Sequence, residues 1–114
     1  MSTEEFLKRA SKTIRKSSQI KEKEDIEDPF CRYAKRKGCN PLKLVMLRKK
    51  GFPDRTVLCP GARVFFVEFK RPGESLMGPQ QVVKRMLEGL GFDYHLCDQP
   101  GQAEEILDKF LAAR

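Results

Sequence analysis

The chain has 114 residues, 39% of them apolar, and a formal net charge of +7, enough for one domain with a modest core and a large solvated surface. No run of about 18 apolar residues is present, which excludes a transmembrane helix, and the start MSTEEFLKRASK lacks the apolar stretch of a secretory signal. Four cysteines without C-x-x-C spacing, beside a single histidine, argue against a zinc site or a disulfide framework and leave a reducing, cytoplasmic setting as the expectation.

The charge is uneven. Residues 1–55 hold 16 Lys/Arg against 8 Asp/Glu, whereas residues 56–114 hold 7 against 8. Such asymmetry points to a polyanionic partner, nucleic acid ahead of an anionic membrane, although a solvated basic face would account for charge alone equally well.

Residues 1–23 are polar and lysine-rich, with a weak helical stripe of Phe6, Leu7, Ala10 and Ile14, and read as a basic N-terminal arm or helix. A single domain is expected over 24–114. Its first helix covers 24–37, where Ile26, Phe30, Cys31 and Ala34 recur at helical spacing and Gly38 supplies the stop. Pro29 must then lie in the first turn, where its missing N–H does little harm. "PLKLVMLR" (41–48), "DRTVLC" (54–59) and "RVFFVEFK" (63–70) read as strands, the last two joined by Cys59-Pro60-Gly61-Ala62.

The loop "PGESLMG" leads to a helix over 79–90, opened by Pro79 and closed by Gly91, with Val83, Met86, Leu87 and Leu90 on its apolar face. "FDYHLC" (92–97) alternates as a strand. "GQAEEILDKFLAAR" closes the chain as a helix with Ile106, Leu107, Phe110 and Leu111 inward. The fold class is α/β: a mixed four-stranded sheet with helices on both faces. Three strands form an antiparallel meander, and the fourth returns in parallel through a crossover helix.

The strand V-F-F-V-E-F-K poses the chemical question, because it is apolar on both faces yet carries Glu68 and Lys70. Alternation puts Val64, Phe66, Glu68 and Lys70 on one face and Phe65, Val67 and Phe69 on the other. With a three-residue hairpin loop, paired residue numbers sum to 122 and Asp54 falls opposite Glu68. A two-residue Pro-Gly turn makes the sum 121 and turns Asp54 to the other face, unless a bulge near Pro53 restores it. Two adjacent carboxylates call for a cation between them, and hard oxygen ligands suit Mg²⁺ or Mn²⁺. Lys70 beside them can orient a water or stabilise charge on a phosphate, which is phosphodiester hydrolysis chemistry.

Pro53-Asp54, a hairpin and Glu68-Phe69-Lys70 resemble the PD-(D/E)XK nuclease signature, on the αβββαβ order of that restriction-endonuclease-like core. "GFPDR…LCPGARVFFVEFKRPGESL…PQQ…LEGLGF" resembles, within it, the virus-type replication-repair nuclease (VRR-NUC) domain, over about 24–98. The resemblance implies a metal-dependent DNA nuclease leaving 5′-phosphate and 3′-hydroxyl ends. Asp54, Glu68 and the Phe69 carbonyl would hold the metal, Lys70 would be the catalytic lysine, and Gln80 would contact the phosphate or the attacking water. A supporting acid on the first helix maps best to Glu27, with Glu24 as the fallback. A stand-alone domain of this family implies a homodimer cutting branched, Holliday-junction-like DNA, and a phage or mobile-element origin would fit.

Lys35-Arg36-Lys37 and Arg48-Lys49-Lys50 are expected to border the cleft, and with Arg55 and Lys84 to touch the DNA backbone. Each could instead be a solvated face. His95, beside Asp93 on a strand, reads as structural. The alternative function is a non-catalytic nucleic-acid-binding module with the same fold. Ala62, where the resemblance leads one to expect glycine, would sit in a left-handed conformation.

Overall fold

The computed structural model of the chain describes residues 19–113; the stripe from Phe6 to Ile14 lies outside them. A π-helical turn, Glu22–Glu27, runs directly into α1, Asp28–Arg36. Pro29 explains the change of pitch. Its ring crowds the carbonyl four residues back and it offers that carbonyl no N–H, so the turn before it widens, with the Asp28 N–H donating to the Lys23 carbonyl five residues back.

Four strands follow in sheet order β1 (Asn40–Leu42), β2 (Arg55–Cys59), β3 (Arg63–Phe69) and β4 (Asp93–Cys97). The first two pairings are antiparallel and the β3–β4 pairing is parallel. Helix α2, Gly78–Gly89, makes the crossover, and α3, Gln102–Ala112, closes the described chain. This is the expected α/β architecture. β1 corrects the reading of 41–48 as a strand: pairing stops at Leu42, and residues 43–50 are exposed, irregular chain.

The hairpin register is the one that matters for chemistry. Cys59 pairs with Arg63 across Pro60, Gly61 and Ala62, and Arg55 pairs with Val67, so paired numbers sum to 122. Ala62 closes this loop with φ at 60°, the left-handed conformation that the three-residue turn demands.

Each sheet face has its own apolar layer. Phe65, Val67 and Phe69 pack with Phe30 and Ala34 of α1 and Ala103 and Leu107 of α3. The Phe30 ring lies 6.5 Å from Phe65 and 5.9 Å from Phe69, within range of favourable edge and tilted contacts. Phe66 and Tyr94 on the opposite face pack beneath Val83 and Leu87 of α2. Central β3 is therefore covered on both sides, which accounts for its continuous apolar sequence. Leu90, placed on the apolar face of α2 by its spacing, is instead 69% exposed past the helix end.

Candidate active site

Asp54 ends the loop that enters β2, one residue before the ladder begins. Its Oδ2 accepts a hydrogen bond of 2.8 Å from the backbone N–H of Phe69, next to Glu68. Register thus places Asp54 opposite Glu68, and the bond to Phe69 fixes it there. The Glu68 side chain is on the α2 face and almost fully buried, at 1% exposure. Burial raises its carboxyl to about 9, helped by the hydrogen bond and charge of Asp54 and opposed by the ammonium of Lys70. A Glu68 carboxyl raised this far keeps its proton at neutral pH unless a cation takes the proton's place.

Gln80 comes from the first turn of α2. Its Nε2 donates to Glu68 Oε2 at 3.2 Å, while its Oε1 accepts from the Met77 N–H at 2.8 Å. One side chain therefore both caps the helix and holds the buried acid. The preceding loop is pressed against that helix start: a Cβ on Gly51 would lie 2.4 Å from both the carbonyl carbon and oxygen of Pro79. Gly51, at φ 90°, needs to be glycine on both counts.

The acid supplied by the first helical segment differs from the sequence expectation. Glu27 is buried, and of the cluster only Glu22 feels its charge. Glu27 Oε2 accepts from Arg55 Nε at 2.8 Å, and Arg55 Nη1 also donates to the Pro41 carbonyl at 3.0 Å. Arg55 pairs with Val67, on the face opposite Glu68, so both members of this ion pair are turned away from the carboxylates. The acid that does feel the site is Glu22. Burial raises its carboxyl first, then the charge of Asp54, with Lys70 opposing. The signal for it was Pro29, which imposes a turn wider than an α-helix and so shifts the phase of the acids ahead of it.

The basic residues divide. Lys35 and Lys37 correct the expectation that they border the cleft. They immediately precede β1, whose Asn40 pairs with Leu58 at the hairpin end of the sheet, remote from Asp54. Arg55 is likewise withdrawn from a surface role by its pairing with Glu27. Arg48, Lys49 and Lys50 remain exposed and lead to Gly51, which abuts the start of α2. Lys84 donates to Glu88 at 3.0 Å and sits 5.9 Å over the Tyr94 ring.

Tyr94 went unnoticed in the sequence. Its buried hydroxyl has no hydrogen-bond partner among the described residues, and burial followed by the charges of Glu68 and Asp54 raises it well above the usual phenol range. Its position beside Glu68 follows from the parallel pairing of Tyr94 with Phe66. His95 packs edge-on to Phe65 at 5.9 Å and is lowered by burial.

No family model matches the sequence, and no curated protein matches it. A solved structure described as a VRR_NUC domain superposes with a TM-score of 0.63 over 74% of this chain and 96% of that one, at 21% identity. The chain has the VRR-NUC fold. At this identity the similarity is one of architecture, and it includes the mixed four-stranded sheet that carries the cluster. Within the VRR-NUC fold of this chain, Asp54, Glu68, Lys70, Gln80 and Glu22 converge at one end of β3.

Among the described residues, no group of three or more His, Cys, Asp or Glu side chains is arranged to hold a metal ion. The donor set is two hard carboxylates in mutual contact with Glu22 nearby. It fits a small divalent cation that keeps several waters and takes few protein ligands, the usual habit of Mg²⁺. No described helix is long and apolar enough to cross a membrane.

Proposed function

We propose that this protein is a divalent-metal-dependent DNA nuclease. The observation that carries the reading is the Asp54–Glu68 pair, brought together by the hairpin register and held by the Phe69 N–H and by Gln80. Asp54 and Glu68 would hold Mg²⁺ or Mn²⁺ with the Phe69 carbonyl, and Glu22, in place of Glu27, would assist. When bound, the ion would polarise a phosphoryl oxygen and acidify a water for attack in line with the leaving 3′ oxygen.

The chain's own groups do the rest. The Phe69 N–H and Gln80 hold the two carboxylates in place, so little reorganisation is needed on binding. Lys70 follows Glu68 on the same face, and its ammonium acts on both Glu68 and Glu22. It is placed to stabilise negative charge as it builds on the phosphate. Arg48, Lys49 and Lys50 draw in the DNA backbone through contacts that carry no sequence preference. The substrate class we favour is branched DNA, cut by a homodimer.

The test is cleavage of four-way-junction and linear duplex DNA with Mg²⁺ by the wild type and Lys70→Ala. The wild type should cut and Lys70→Ala should be slower by roughly a hundredfold or more. If neither protein cuts any DNA while both bind it, the non-catalytic binding module replaces this reading. The small number of acids in the cluster is the observation that favours that second reading.

A further inference from the structure

The segment from Lys43 to Lys50 is the stretch of the described chain least explained by the fold. It left the strand its sequence suggests, and its four consecutive apolar side chains face solvent: Leu44 is 41% exposed, Val45 80%, Met46 43% and Leu47 96%. Single exposed apolar residues are common, but a contiguous group with cations on both sides marks a contact surface. Lys43 precedes the group, and Arg48, Lys49 and Lys50 follow it.

The base of this loop is fixed to the site. Gly51 abuts the backbone of Pro79 and Gln80, and three residues later Asp54 enters the carboxylate pair. Whatever the loop contacts is therefore close to the Asp54–Glu68 pair. A second copy of the chain is a poor occupant, because two such loops meeting would bring four cations against four. A polyanion with apolar faces to offer suits both features. DNA has them where its bases are unstacked, and apolar side chains such as Leu and Met act as wedges between base steps.

We propose that the Lys43–Lys50 loop is a DNA wedge: Val45 and Leu47 enter the base stack at a branch point while Arg48, Lys49 and Lys50 grip the flanking phosphates. The inference rests on the nuclease reading and supplies its substrate preference. Unstacking costs least where bases are already unpaired or strained, so a wedge beside the cutting site favours junctions over continuous duplex.

The experiment places 2-aminopurine at the branch of a four-way junction and titrates the full chain in EDTA, where no cleavage occurs. Wild type should raise the fluorescence roughly threefold as the base unstacks. Val45→Ser/Leu47→Ser should abolish most of that rise while weakening binding less than about fivefold, because the cations remain. Lys49→Ala/Lys50→Ala should weaken binding and flatten its salt dependence. An undiminished rise with the serine variant overturns the wedge. So does a wild-type dimer that becomes a monomer on the same substitutions, measured by light scattering, since the apolar group would then face a second copy. A rise without cleavage in Mg²⁺ would sink the nuclease reading and leave the wedge standing; cleavage without a rise would do the reverse.

Discussion

Gln80 ties the start of α2 to Glu68: its amide oxygen accepts from Met77 N–H while its amide nitrogen donates to the buried carboxyl, at 2.8 and 3.2 Å. Helix position and acid position are thus set by one side chain. Gln80→Ala removes both bonds and is expected to cost about 1–2 kcal/mol in stability. It should also slow cleavage by roughly ten- to a hundredfold, because Glu68 loses its orientation. Urea denaturation and single-turnover cleavage measure the two effects. An unchanged cleavage rate would show that Gln80 serves only as a cap.

Glu22 and Glu27 should separate function from stability. Glu27→Ala leaves Arg55 mostly buried without its carboxylate, and a loss of roughly 2–4 kcal/mol is expected. Glu22→Ala removes an acid that is partly buried beside other acids, so stability should change by less than about 0.5 kcal/mol. Its Mg²⁺ dependence, by contrast, should move to higher concentration. Metal titrations of cleavage on both variants decide the assignment, and a metal effect confined to Glu27→Ala would reverse it.

Gly51→Ala combines a positive φ with a 2.4 Å approach to the Pro79 backbone. The loop and the start of α2 must part, and a loss of about 2–4 kcal/mol is expected, with Gln80 displaced. Thermal melts check the stability. A wild-type melt would mean that this contact is not made in solution.

Glu104 provides a pH signature remote from the carboxylate pair. It is 3% exposed at the start of α3, and burial raises its carboxyl to about 7, against hydrogen bonds from its own N–H and that of Gly101. A carboxyl whose folded value lies above its unfolded one favours folding when protonated. That contribution is complete below about pH 4.5 and is lost as pH rises through about 7. Each unit between the two values is worth about 1.4 kcal/mol, so the loss is on the order of 3 kcal/mol. Glu104→Gln should therefore gain stability relative to wild type between pH 5 and 8. Parallel stability curves for the two proteins would exclude a raised Glu104.

The sequence by itself determined the architecture and narrowed the central pair to two registers. The folded hairpin takes the three-residue turn Pro60-Gly61-Ala62, and turn length sets register, so Asp54 falls opposite Glu68. The helices over 78–89 and 102–112 follow from apolar spacing and from proline and glycine at their ends. Tertiary structure alone decided which charges meet. Arg55 reads as a surface cation until the π-helical turn lays Glu27 against it, and Lys35 reads as a cleft residue until α1 carries it to the hairpin end of the sheet. Glu22 enters only because Pro29 widens the turn before α1 and changes its phase. The residues 43–48 have strand character, but β propensity is a preference for packing against neighbours, and beyond Lys43, which would face Arg55, there is no β2 residue left to pair with. Local sequence fixes dihedral angles and register; the meeting of distant side chains depends on helical phase and on which faces pack.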